Sequence, residues 1–123
     1  MIKNVLLVGL GGGIGSMARY LCQKWFAANY ASSFPWGTFT VNIIGCLTIG
    51  IFWGLSFKSF SSNESWKLFL MTGLCGGFTT FSAFTLEGVG LLKEQKLALF
   101  FSYVAASVLL GLLATYIGMR LIK

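Results

Sequence analysis

Four apolar stretches take up nearly the whole chain, running from about Ile2 to Ala28, Gly37 to Phe57, Trp66 to Leu92 and Leu97 to Ile122. A bilayer's hydrocarbon core takes roughly 20 apolar residues per helix, so each stretch is long enough to cross it. The connectors are short and polar. Asn29 to Trp36 carries the only proline, Lys58 to Ser65 is serine-rich, and Lys93-Glu94-Gln95-Lys96 is a tight charged turn. Across 123 residues this predicts an all-α membrane protein with a single four-helix transmembrane domain. Composition agrees: 10% of residues are charged, against about 25% in soluble domains, too few to wet the surface of so small a globule.

The net charge of +6 raises the possibility of nucleic acid, since basic chains neutralise phosphate. Placement argues against it. Lys3, Lys24, Lys58, Lys67, Lys93, Lys96, Arg120 and Lys123 sit at or beyond the ends of apolar stretches, where such residues anchor helices at headgroups. Only Arg19 lies inside one. With four spans, both termini share a side, and that side carries five basic residues against three or four on the other. So weak a bias predicts insertion in both orientations and pairing with an inverted copy. Lys3 before an apolar run and Ser16-Met17-Ala18 imitate a signal peptide, but cleavage would still leave three spans, so the first is kept as a helix.

Cys22, Cys46 and Cys75 are dispersed in apolar segments without metal-motif spacing or any histidine, and they read as small packing residues. Gly9/Gly13, Gly11/Gly15, Gly50/Gly54 and Gly73/Gly77 have the four-residue spacing at which membrane helices approach closely. Gly13-Ile-Gly15-Ser-Met-Ala18 matches a loose dinucleotide pattern, but the first acidic residue is Glu64, too distant to serve it. No P-loop, zinc site or nucleophile triad is present, so no enzyme is expected.

The third segment holds Gly73-Leu-Cys-Gly-Gly-Phe-Thr-Thr-Phe-Ser-Ala-Phe84. Paired glycines followed by paired threonines suit a continuous helix poorly. A break there would free carbonyl oxygens that can bind a cation; an intact helix with a glycine contact face is the other reading. Phe81 and Phe84, three apart, share a face with Ser82 beside them. They are either packing bulk or electropositive ring edges able to meet an anion. Asn42 must find partners in hydrocarbon. Tyr103, Ser107 and Gly111 form one stripe on the fourth segment: a polar track, or hydroxyls bonded back to their own helix. Arg19 is placed to snorkel, pair with a helix C-terminus or hold an anion, and Glu87 to be interfacial.

Taken together, Gly12 to Tyr20, Gly37 to Gly45 and Gly73 to Phe84 resemble the Fluc fluoride channels, the family also called CrcB, over essentially the whole chain. The resemblance implies a dual-topology homodimer of inverted subunits in the bacterial inner membrane, with two pores through which fluoride leaves passively. It implies a central structural sodium ion held by the carbonyls of Gly76 and Thr79 from both subunits, and pores lined by Phe81, Phe84, Asn42, Ser82, Thr80, Tyr103 and Ser107. Arg19 would match the family's helix-1 arginine and is expected among the residues of the fluoride pore. The chain departs from the pattern at Ala83, where threonine is usual, and at Gly111, where some members carry a hydroxyl. The physics is compatible: fluoride is strongly hydrated, and neutral amide, hydroxyl and ring-edge groups replace water without the tight grip of a fixed cation. The main rival, a small multidrug-resistance exporter, requires a glutamate in helix 1, and segment 1 contains no acid. A non-transporting assembly factor is the third reading.

Overall fold

The computed structural model describes residues 1–30, 33–58 and 64–122. Most of the serine-rich connector at 58–65 and part of the first connector lie outside the described residues. Among the described residues all regular structure is helical: α1 (Ile2–Asn29), α2 (Trp36–Lys58), α3 (residues 64–78), α4 (Phe81–Lys93) and α5 (Leu97–Leu121). Four spans are long and apolar enough to cross a membrane, namely Ile2–Asn29, Trp36–Phe57, Glu64–Lys93 and Leu97–Leu121. The apolar stretches of the sequence coincide with these to within two residues. The third span contains α3 and α4, between which Thr79 and Thr80 are extended. Within α3 the backbone is π-helical over Leu68–Cys75.

Two glycine seams hold the helices together. Along the first, α1 lies on α3. A Cβ added at Gly11 would stand 2.5 Å from the Phe69 carbonyl oxygen, and one at Gly15 would collide with the Leu74 carbonyl. From the other side, a Cβ at Gly73 would stand 2.9 Å from the Val8 carbonyl oxygen, and one at Gly77 would run into Gly12. Along the second seam, α2 lies on α5, where Gly50 and Gly118 face each other backbone to backbone. Apolar side chains gain little by leaving lipid for a neighbouring helix, so this closeness supplies much of the association. Gly9 and Gly13 differ from the other pairs, having nothing within 4 Å of an added Cβ, so their spacing does not mark a contact within this chain.

The buried interior is small. Val41, Thr38 and Tyr103 are almost wholly enclosed, with Cys75 and Leu91 close behind. Leu6, Leu10, Leu109, Leu112 and many other large apolar side chains point outward. In water such a surface would aggregate; in lipid it is the ordinary exterior. Aromatic clusters mark both ends of the bundle: Trp25, Phe26, Tyr30, Phe34 and Trp36 at one, Trp53, Phe57 and Trp66 at the other. At the first end Lys96 binds both Glu94 and the Ser33 hydroxyl, tying the α4–α5 turn to the connector before α2.

The seams make a direct prediction. Gly15→Ala forces two backbones apart and is expected to cost about 1–3 kcal/mol, as overpacking does. Gly9→Ala, in open space, is expected to be neutral or to stabilise by up to about 1 kcal/mol, because alanine loses less freedom in a helix. Unfolding of the purified variants in detergent micelles would check both.

Candidate functional site

The chain leaves helical geometry at Thr79 and Thr80 for reasons visible in its local chemistry. Glycine is a poor helix former, so Gly76-Gly77 weakens the turn before the threonines. Both threonine hydroxyls then compete for backbone groups. The Thr79 Oγ1 donates to the Cys75 carbonyl at 3.0 Å. The Thr80 Oγ1 accepts from the Ala83 N–H at 3.1 Å, capping the start of α4. Ser82 is exposed beside this cap, its Oγ 3.4 Å from the Thr80 Oγ1.

Asn42 of α2 completes the arrangement. Its Oδ1 accepts from the Thr80 N–H at 2.8 Å, and its Nδ2 donates to the Thr80 carbonyl at 3.0 Å. One side-chain amide thus pairs with both polar groups of one residue, as a neighbouring strand would. The consequences reach two other carbonyls. In an unbroken helix the Gly76 oxygen would accept from the Thr80 N–H and the Thr79 oxygen from the Ala83 N–H. The first donor is held by Asn42 and the second by the Thr80 hydroxyl. Both oxygens are therefore left without their helical partners. Asn42 keeps one amide hydrogen for another acceptor.

Four rings form a chain beside this point. Phe81 and Phe84 have centroids 5.8 Å apart, Phe84 and Tyr103 5.0 Å, and Tyr103 and Phe34 5.4 Å. Phe84 and Tyr103 are covered or half-covered, whereas Phe81 is 77% exposed, so whatever completes its surroundings lies outside this chain. A groove of about 370 Å³ runs past Asn42, Thr79, Thr80, Phe81, Phe84 and Ser107, bringing together most of the residues singled out from the sequence. The Tyr103 and Ser107 hydroxyl oxygens are enclosed; the Tyr103 hydroxyl lies beside Glu87, and the Ser107 hydroxyl makes no hydrogen bond among the described residues. Ser107 thus differs from Thr48, Ser56 and Thr85, whose hydroxyls bond back to their own helices.

Arg19 does not line the groove; its Nε donates to the Gly77 carbonyl at 3.1 Å, and the Ser16 hydroxyl reaches the same oxygen at 3.5 Å. Of the roles open to it in the sequence, the structure places it at a helix C-terminus, where exposed carbonyls carry partial negative charge. Glu87 is half-buried, with Oε1 enclosed beside Tyr103, and faces a second cavity of about 410 Å³ at the aromatic end of the bundle with Gln23 and Thr38, which bond to each other at 2.9 Å. Sequence reasoning missed Gln23 and Thr38. For Glu87 the signal was its position three residues after Phe84, on the same helix face.

The family described as CrcB-like protein, Camphor Resistance (CrcB), matches residues 6–119. The chain is 43% identical over 122 residues to the fluoride-specific ion channel FluC of Flavobacterium psychrophilum, covering 99% of this chain and 98% of that one. It is 46% identical over 117 residues to the FluC of Phocaeicola vulgatus, with 95% and 96% covered. The FluC of Leptospira interrogans is 41% identical over 121 residues, with 98% and 95% covered.

Because Asn42 satisfies two backbone groups at once, Asn42→Leu is expected to destabilise by about 2–6 kcal/mol, each orphaned group contributing about 1–3. Thr48→Val, which removes only a bond within its own helix, is expected to cost less than about 1 kcal/mol. Unfolding in micelles compares the two, and faster hydrogen exchange at the Thr80 amide would localise the effect.

Proposed function

Since the chain belongs to the CrcB family of fluoride-specific ion channels, we propose that it conducts fluoride passively out of the cell across the bacterial inner membrane, as an antiparallel homodimer with two pores. The observation that carries this reading is the Asn42–Thr80 pairing, which leaves donors, ring edges and released carbonyls side by side along one groove.

The assignment of each residue follows from what it has free. Asn42 offers its remaining amide hydrogen. The Ser82 and Thr80 hydroxyls stand at the start of α4. Phe81 and Phe84 present electropositive ring edges to an anion. The enclosed hydroxyls of Tyr103, beside Glu87, and of Ser107 continue the donors along α5. All are neutral, so fluoride exchanges water for several moderate contacts and can leave each of them, as conduction requires. Arg19 lies off this line, on the carbonyl of Gly77.

The oxygens of Gly76 and Thr79, which have lost their helical donors, fit a hard monovalent cation, which takes oxygen ligands and is held by carbonyls at helix breaks. One chain offers too few of them, and a symmetry-related copy would double the set. A sodium ion held there would supply a positive field near the pores without entering them. The inverted copy would also cover Phe81, and the break would lie at mid-membrane depth, where irregular backbone is tolerated only inside protein or against a cavity.

Purified protein in liposomes is expected to release fluoride rapidly and chloride hardly at all, without a proton gradient; proton-coupled drug flux in its place would favour an exporter. Phe81→Ile and Phe84→Ile are each expected to slow fluoride release at least tenfold, the change that about 1.4 kcal/mol of lost anion stabilisation produces, while the dimer persists on gel filtration. Side-specific reporters fused to the C-terminus are expected to respond from both faces of the membrane; signal from one face alone would refute the inverted pair.

A further inference from the structure

We infer that the Cys46 thiol is a pathway donor, extending the line of neutral donors one helical turn beyond Asn42 and standing where the α5 stripe lacks a side chain at Gly111. The inference rests on the fluoride pathway proposed above and adds a residue that the sequence assigns only to packing.

Three observations converge. First, Asn42 and Cys46 are four apart on α2, so they share a face, and both line the groove that holds Phe81 and Phe84. Second, Ser107, which lines that groove, and Gly111, which is buried against α2, are four apart on one face of α5, and the Cys46 Sγ stands 3.4 Å from where a Cβ on Gly111 would be. The thiol therefore sits over the gap in the α5 stripe. Third, the neighbouring Ser107 hydroxyl oxygen lines the same groove, is enclosed and has no partner, so the polar lining at this level is not consumed by contacts within the chain. Thr115, the next hydroxyl along α5, does not fill the gap, because its Oγ1 is bonded to the Cys46 carbonyl at 3.0 Å.

An S–H is a weak donor. It offers a strongly hydrated anion a contact that is easily given up, which suits passage better than retention. Cys46 forms no disulfide, so its hydrogen is present.

The test separates donation from packing by fluoride-electrode measurement of efflux from liposomes. Cys46→Val fills the space without a donor, and Cys46→Ala removes both bulk and donor. Each is expected to slow fluoride release about fivefold or more, the effect of one lost hydrogen bond. Cys46→Ser supplies a stronger donor in less volume and is expected to rescue release, as is Gly111→Ser added to Cys46→Ala. Cys22→Ala, outside the groove, serves as the control and is expected to match wild type. Normal flux in the Val and Ala variants, or a loss in the Ser variant that Val does not share, would overturn the inference and leave Cys46 as packing. If the wild-type protein itself released no fluoride, the pathway reading would fall, and this inference with it. Gel filtration of each variant distinguishes a conduction defect from failed assembly, and the Gly111→Ser rescue reports on donation even if Cys46→Ala assembles poorly.

Discussion

A side-chain amide that takes both the N–H and the C=O of one backbone residue acts as a fragment of neighbouring strand, and in a bundle of apolar helices few other groups can do this. Asn42 does so for Thr80. An unpaired backbone group in hydrocarbon is costly enough that spanning segments are normally helical throughout. The extended pair Thr79–Thr80 is sustainable because Asn42, the Thr79 hydroxyl and the Thr80 hydroxyl pair most of what the helix gives up there. The Gly76 and Thr79 oxygens are left without their helical donors, which Asn42 and the Thr80 hydroxyl have taken. The same cap that starts α4 at Phe81 sets the rotation of Phe81 and Phe84, so the rings and the released carbonyls are fixed by one small set of contacts.

That set needs three elements brought close together, and the glycine seams do this. Gly11 and Gly15 let α1 settle onto the backbone of α3, which puts Arg19 and Ser16 within reach of the Gly77 carbonyl. Gly50 and Gly118 lock α2 against α5, which places Asn42 and Cys46 in one groove with Ser107 and sets Cys46 against Gly111. The segment between the two seams is gripped from both sides, by a cation on its C-terminal carbonyl and by an amide past its end. Contacts of this kind allow an irregular stretch without allowing it to wander.

For the proposed conduction of fluoride, the notable property of the groove is that its donors are neutral and individually weak. A lone amide hydrogen, hydroxyls, ring edges and a thiol compete with water by number rather than by strength. Arg19 is engaged with the Gly77 carbonyl and does not line the groove. The exposed edge at Phe81 and the outward carbonyls are features of a half-site, complete only with a second copy in the proposed assembly.

Length and hydropathy alone determined the four spans, because lipid imposes a minimum apolar length that no soluble fold requires. The Gly-Gly-Phe-Thr-Thr run pointed to a break and to an intact glycine-faced helix alike, since helix propensity and threonine's competition for backbone groups are local and do not say which side wins. The three blocks that carry the family resemblance are also linear motifs, readable without coordinates. Helix rotation was not legible. Four-residue spacing says which residues share a face but not which face is packed, so Gly9/Gly13 looked the same as Gly11/Gly15 and turned out to be open. For the same reason only the tertiary structure decided that Asn42 meets Thr80, that Arg19 meets Gly77, that Ser107 stays unpaired, that Glu87 turns into a cavity and that Cys46 stands over Gly111. Each depends on how one helix is turned against another, and that is set by the summed packing of whole faces rather than by any stretch of sequence.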